Sequence, residues 1–308
     1  MFKLTACVFI VAVSPQCLQG QEASPKVRVL IIDGQNNHDW QKTTASTRAT
    51  LLASGRFEVD VASSPADREA RDEWESWAPP FSEYDVVFSN YNDGGSCLWS
   101  DRAKRGLVDF VSGGGGLVVI HAADNSSSDW PEYNRMIGVG GWGGRTPASG
   151  RHLRRVDGAW TTDLAPDGLS GSHGPQHEFL VESSDVEHPV MEGLPTRWLH
   201  AQDELYDSLR GPCENVTVLA SAYCERTDRH EPVILAIAYD KGRVFHTTMG
   251  HVGGTTAVHC VGFQTVISRG TEWAATGAVT IPVPNDFPTP EASRVRAPAV
   301  PADLRGAR

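Results

Sequence analysis

Apolar runs of strand length alternate with helix-like segments through residues 27 to 120, and this alternation limits the possible folds more than any other feature. The first run is Val27 to Ile32, followed by a helical pattern from Thr43 to Ser54 that Gly55 stops. Phe57 to Ala62 and Tyr84 to Ser89 read as the second and third strands. Ser100 can cap a helix in which Ala103, Leu107 and Val111 recur at four-residue spacing, and Gly113 to Gly116 then lead into a fourth strand, Leu117 to Ile120. Strands separated by helices pair in parallel through right-handed crossovers, with both sheet faces covered. The expectation is an open, doubly wound α/β sheet. The four glycines precede a strand, whereas a phosphate-binding loop follows one and opens a helix, so they read as a turn.

The second half is less regular. Residues 138–176, rich in Gly, Ser, Asp and Arg, read as a long insertion or lid. Strand patterns return at Glu178 to Val181, Val216 to Ala220, Val233 to Ala238 and Arg243 to Thr247, with "YDKGR" (239–243) as a hairpin turn and Ala257 to Ser268 as a closing helix. Three segments follow: a leader over 1–20, an α/β domain over 21–280, and a proline-rich extended tail over 281–308. The leader has Lys3 as its one charge, an apolar run from Leu4 to Val13, and a small residue, Gly20, before Gln21. That pattern predicts a secretory signal and a secreted or periplasmic protein, with an uncleaved anchor as the alternative. The run is shorter than the roughly 20 residues a membrane-spanning helix needs, so no stable membrane insertion is expected. A net charge of −11 argues against nucleic acid as a partner. Beyond the leader stand Cys97, Cys213, Cys224 and Cys260, which allow a Cys213–Cys224 disulfide or four buried thiols.

Polar clusters fall at strand ends. The first strand runs into "DGQNNHDW" (33–40), the third into "SNYNDGG" (89–95), the fourth into "HAADNSSSDW" (121–130), and the late strand "GRVFHTTMGH" delivers His246 and His251. In a parallel sheet these ends share the carboxyl edge, where open α/β proteins bind ligands. The polar residues that reach this crevice are His38, His121, His251 and the pair Asp203 and Glu204, with His177 and His200 next in order. His152, His173 and His230 read as surface residues, and His188 as a turn residue.

Five stretches resemble one family: "HAADNSSSDWPEYNRMIG" (121–138), "HPVMEGLP" (188–195), "DELYDSLRGP" (203–212), "GRVFHTTMGH" (242–251) and "GFQTVISRGTEWAATGAVTIPVPNDFP" (262–288). Together they are similar to the ThuA-like, trehalose-utilisation family, over nearly the whole chain from about Val27 to Pro288. The resemblance implies a flavodoxin-like three-layer sandwich, with a mostly parallel central sheet and helices on both faces, related to the class I glutamine amidotransferase fold. Those relatives carry a cysteine nucleophile after a central strand. Here "VVIHAAD" puts His121 near that place and Cys97 on another connection, so glutaminase activity is not expected. His251 resembles the triad histidine of those relatives by position.

Two chemistries suit the candidate residues. His38, His121 and His251 with a carboxylate could ligate a divalent metal such as zinc. Alternatively, His121, His251, Asp203 and Glu204 could form an acid–base group for hydrolysis or elimination on a sugar or keto-sugar. Asn36, Trp40, Asn92, Asp124, Asn125 and Trp130, beside His38, are candidates to bind the carbohydrate, because aromatic faces pack on its C–H groups while amides and acids take its hydroxyls. Trp99 and Trp142 lie in similar loops and could contact sugar or anchor the loops. A carbohydrate-binding protein that keeps the crevice without turnover remains the alternative to an enzyme.

Overall fold

A computed structural model describes residues 25–164 and 168–299; the expected leader at 1–20 and the last residues of the tail lie outside that range. The chain order is β1 (Val27–Asp33), α1 (Trp40–Ala53), β2 (Phe57–Ser63), α2 (Arg71–Ser76), β3 (Val86–Ser89), α3 (Asp101–Ser112), β4 (Gly116–Ile120) and α4 (Pro131–Ile137). It continues with β5 (His152–Val156), β6 (Ala159–Asp163), β7 (Ser172–His173), β8 (His177–Ser183), β9 (Arg197–Asp203) and β10 (Tyr206–Asp207). The last elements are β11 (Val216–Cys224), β12 (Arg229–Tyr239), β13 (Gly242–Thr247) and α5 (Val261–Thr276).

A nine-stranded sheet in the order β2-β1-β3-β4-β13-β12-β11-β8-β9 forms the centre. The first five strands pair in parallel. From β13 to β9 each pairing is antiparallel. Two reversals bring β11, and two more bring β9, back to the direction of the parallel strands, so only β12 and β8 run against the rest. The carboxyl end of β9 therefore emerges at the same edge as those of β1, β3, β4 and β13.

Alternating strand residues separate into two buried clusters, as the period-two geometry of a strand requires. Val29, Ile31, Phe88 and Val118 pack with Leu51 of α1 and with Val266 and Ile267 of α5. Leu30, Ile32, Val87 and Leu117 pack with Leu107 and Val111 of α3 and with Met136 and Ile137 of α4. Burying each such side chain contributes about 1.5–3 kcal/mol, which makes this double core the main source of stability.

Differences from the sequence expectation have local causes. Helix α1 starts at Trp40, three residues early, because the Asp39 side chain accepts from the Lys42 N–H at 3.2 Å and acts as the cap. The Ser100 cap is present, its Oγ accepting from Ala103 N–H at 3.3 Å. Helix α5 runs past Ser268 to Thr276, where Gly277 takes a left-handed conformation at φ +80°. Strand β9 escaped the hydropathy reading because its buried positions include His200 and Asp203 beside Trp198 and Ala201.

The 138–176 insertion holds a hairpin, β5–β6, and is stapled to the "DSLRGP" stretch. Gly140 and Arg210 exchange backbone hydrogen bonds at 2.8 and 2.9 Å, and so do Arg151 and Gly211 at 2.8 and 3.0 Å. Tail residues up to 299 lie extended on the body, with Leu199 N–H donating to Thr289 O at 2.8 Å and Arg296 N–H to His259 O at 2.9 Å. Cys97, Cys213, Cys224 and Cys260 are all free thiols, so the Cys213–Cys224 bridge that the spacing allows is not formed. No helix of the described residues is long and apolar enough to cross a membrane.

Candidate functional site

Four residues from four strand ends meet at the carboxyl edge. His38 comes from the loop after β1, His121 directly follows β4, Glu204 directly follows β9, and His251 lies after β13. One potential ligand atom from each lies within 4.8 Å of all the others. The imidazole centroids are 5.0 Å (His38–His121), 4.6 Å (His38–His251) and 5.4 Å (His121–His251) apart. Glu204 Oε1 lies 3.3 Å from His251 Nε2, and Oε2 lies 3.6 Å from His121 Nε2.

His121 is held by its backbone and its ring. It adopts φ +44°, a left-handed conformation that costs a non-glycine residue roughly 1–2 kcal/mol. Its Nδ1 lies 2.8 Å from the carbonyl oxygen of Thr248, which can only accept, so Nδ1 carries a proton and donates. Nε2 is thereby aimed at the cluster, 3.1 Å from the Tyr206 hydroxyl. A histidine fixed in this way by a backbone carbonyl has the orientation that metal-binding imidazoles need.

The charges suit a cation. Burial first, then the charges of His121 and His251, push His38 down to about 4, so it is neutral at pH 7. Burial and His121 likewise lower His251. For His121 burial opposes protonation, but its bond to Glu204 and the charge of Asp203 outweigh that and raise it. Burial also opposes ionisation of Glu204, yet hydrogen bonding to His121 and that ring's charge hold its carboxyl at about 2. Two imidazoles held neutral, and a third that pairs with an ionised carboxylate and would give up its Nε2 proton to an incoming cation, form a nitrogen–oxygen donor set of the kind zinc and similar ions take.

Beside the cluster is a cavity of about 290 Å³, lined by Asn37, Asn92, Asn125, Trp142, His173 and Tyr206 together with His38 and Glu204. Its size is at the small end of ligand pockets, which run ~300–1,000 Å³. Glu204 is the only carboxylate among the described lining residues, and no Lys or Arg lines it. Arg145, the nearest guanidinium to Asn125, is taken up by Asn125 O, Ser126 O, Gly141 O and Asn134 Oδ1 at 2.8–3.0 Å. A larger groove of about 850 Å³ runs along β8 and the 223–226 turn. It holds no comparable set of imidazoles, so chemistry favours the smaller cavity.

The other sequence candidates divide between wall and support. Asn92 lines the cavity, with Nδ2 donating to Asn37 Oδ1 at 2.8 Å. Asn125 lines it too, its amide oriented to donate to Asp124 Oδ1 at 2.7 Å. Asp124 itself is buried behind the wall, 3.2 Å from His246 Nε2. Asn36 shapes the loop, Oδ1 accepting from His38 N–H at 3.0 Å and Nδ2 donating to Asn90 O at 3.2 Å. Trp40 begins α1, and its carbonyl accepts from Asn90 Nδ2 at 3.1 Å. Trp130 and Trp99 belong to an aromatic cluster with Tyr133, Tyr91 and Phe81, away from the cavity. Of the loop tryptophans, Trp142 is the one that lines it.

Asp203 is fully buried beneath Glu204, bonded to His200 Nε2 at 2.8 Å. Burial opposes the protonated form of His200, but the charges of Cys260 and Asp203 raise it to about 10. His177 bonds to Pro175 O at 2.8 Å and faces the larger groove.

One reading changes and one gains a role. His173 is exposed, as expected, and also lines the cavity, with Nε2 3.8 Å from Glu204 Oε2. His152 is buried and bonded to Leu209 O at 3.0 Å. Sequence reasoning also passed over Tyr206 and Gln176. Tyr206 sits three residues after Asp203 in "DELYD", a stretch already singled out. Gln176 Nε2 reaches Glu204 Oε1 at 3.2 Å from an irregular loop that carries no periodic signal. Cys97, by contrast, has its thiol pushed up to about 11 by burial, so it offers no ready thiolate.

Comparison with known proteins agrees with this architecture. The profile of the ThuA family, described as trehalose utilisation, matches residues 28–274. A ThuA-like protein from Parabacteroides merdae is 42% identical over 89% of this chain and 98% of its own, with a TM-score of 0.83. Another from Bacteroides uniformis shares the fold at 18% identity, covering 85% of this chain and 98% of its own, with a TM-score of 0.52. No curated protein matches the chain. The chain belongs to the ThuA, trehalose-utilisation family.

Proposed function

We propose that the protein is an exported enzyme of carbohydrate utilisation that acts on a sugar or keto-sugar derivative, using a divalent metal such as zinc held by His38, His121, Glu204 and His251. The observation that carries this reading is the four ligand atoms within 4.8 Å of one another beside a cavity lined with amides and one indole. A bound ion would polarise a carbonyl or acidify a water there. Ordinary glycoside hydrolysis uses two carboxylates on opposite sides of the bond, and the described cavity wall offers one. A ketone substrate needs no second carboxylate. Its carbonyl acidifies the neighbouring C–H, and a neutral imidazole can take that proton. The electron pair then forms a C=C bond as the C–O bond to the leaving sugar breaks, and the departing oxygen takes a proton. Trp142 supplies a face for ring C–H groups, and Asn37, Asn92 and Asn125 supply donors and acceptors for hydroxyls. With no Lys or Arg in the described wall, a neutral ring suits this cavity better than a phosphorylated one.

Export rests on the leader pattern, and the flavodoxin-like three-layer reading on the two clusters that take alternate strand residues. The second reading is a binding protein without turnover, favoured by the lack of a cysteine in the described cavity wall. Metal analysis of the purified protein, with turnover of oxidised and unoxidised disaccharides before and after chelation, separates the two. Stoichiometric metal and chelator-sensitive cleavage of the oxidised sugar are expected. Sugar binding with no product under any condition would leave only the binding reading.

A further inference from the structure

Glu204 and His251 follow strands that have three others between them in the sheet, so ordinary strand pairing does not set their spacing. One buried carboxylate spans the gap. Asp203 Oδ1 accepts from the backbone N–H of Glu204 at 2.8 Å and of His251 at 3.1 Å. Oδ2 accepts from the N–H of Gly250 at 2.8 Å and from His200 Nε2 at 2.8 Å. Asp203 and His200 are both fully buried, and the His200 ring packs 5.1 Å from Phe179. The Cys260 thiol, on the residue that precedes α5, interacts with the other side of the His200 ring.

Such a carboxylate cannot reach substrate. It can fix where two cluster residues stand, because each N–H it holds belongs to Glu204, to His251 or to the residue before His251. Burying a carboxylate is costly unless its lone pairs are satisfied, and here two pairs of donors satisfy them. His200 supplies the one side-chain donor, which stops the carboxylate from rotating away.

We propose that Asp203, locked in place by His200, is the positioning group that sets the spacing between Glu204 and His251 and thereby the site's affinity for its cation. The cation part rests on the metal reading above, whereas the spacing part does not. Outer-shell partners of metal ligands typically contribute about 10–100-fold in affinity.

The test uses the full chain with His200→Ala, His200→Gln and Asp203→Asn. Zinc affinity is measured by competition with a chromophoric chelator, and hydrogen–deuterium exchange is followed at residues 203–205 and 249–252. Gln can present an amide N–H near the position of the imidazole Nε2. H200Q should therefore hold zinc within a few-fold of the parent, while H200A and D203N should lose about 10–100-fold. In H200A both segments should exchange faster together, with the central strands unchanged. If H200A melts earlier but binds zinc as tightly as the parent, with the two segments still protected, His200 is only a packing residue and the proposal fails. Should the parent protein itself bind no zinc, the metal reading fails separately, and exchange of the two segments still decides the positioning role.

Discussion

At the residue scale, the cluster is a crowd of groups that could not all be charged. Three imidazoles with centroids about 5 Å apart repel one another as cations, and burial adds to the penalty. His38 is accordingly pushed down to about 4. Replacing His121 or His251 with Ala removes a donor without disturbing a strand. Either change should abolish turnover and cut zinc affinity by at least about tenfold. A thermal melt should move by only a few degrees, and unchanged turnover in both variants would remove them from the mechanism. His38, His121 and His251 could be picked from the sequence because each follows an apolar strand run. His173 could not, because its strand is two residues long and lies in a Gly- and Ser-rich stretch. Nor could Asp124 be told from a pocket residue, since both kinds of position follow the same strand.

At the element scale, the insertion brings Trp142 to the cavity by a close approach of two glycines. Gly95, in the loop after β3, has φ +116°, and a Cβ there would stand 2.1 Å from the Gly143 carbonyl oxygen. Gly95→Ala forces the two loops apart. Overpacking and backbone strain together should cost about 2–4 kcal/mol, read as a shift in the urea midpoint. Sugar affinity should fall as well, because Trp142 precedes the displaced glycine. A variant that binds sugar as the parent does would show that Trp142 is no platform. The four strands and the two longer helices up to residue 120 were legible because periodicity is a local property, whereas the six-residue α2 is too short to show one. Strand β9 was not, since tertiary partners, not hydropathy, justify a buried His200 and Asp203.

At the scale of the whole molecule, charge and pH act through groups far from the cavity. Glu231 on β12 is 2% exposed, 3.8 Å from Arg154 of the insertion hairpin and 3.0 Å from Thr227. Burial raises its carboxyl to about 7, with Arg154 and Thr227 opposing and Asp207 reinforcing the shift. A raised folded value means that the native state holds this proton more tightly than the unfolded chain. The contribution is complete below the unfolded value of about 4.3, is lost as pH rises to about 7, and then stays level. Stability should thus fall by a few kcal/mol between pH 5 and 8, and Glu231→Gln should flatten that part of the profile. A parent profile that is already flat would show the carboxylate adequately solvated or paired. Export belongs to this scale too: expression with the leader should yield mature protein beginning near Gln21 outside the cytoplasm, and retention of the full-length chain inside would refute it.

The sequence by itself determined the α/β class, the parallel run of strands and the carboxyl edge as the rim where polar strand ends gather, because these depend on periodicities of two and 3.6 along the chain. Only the tertiary structure decided which polar groups face one another. Two pairs of antiparallel reversals turn β9 back to the direction of β1 and β4, and that reversal carries Glu204 to His38, His121 and His251. Pairing across so many residues leaves no local trace, since it depends on which strand lies beside which.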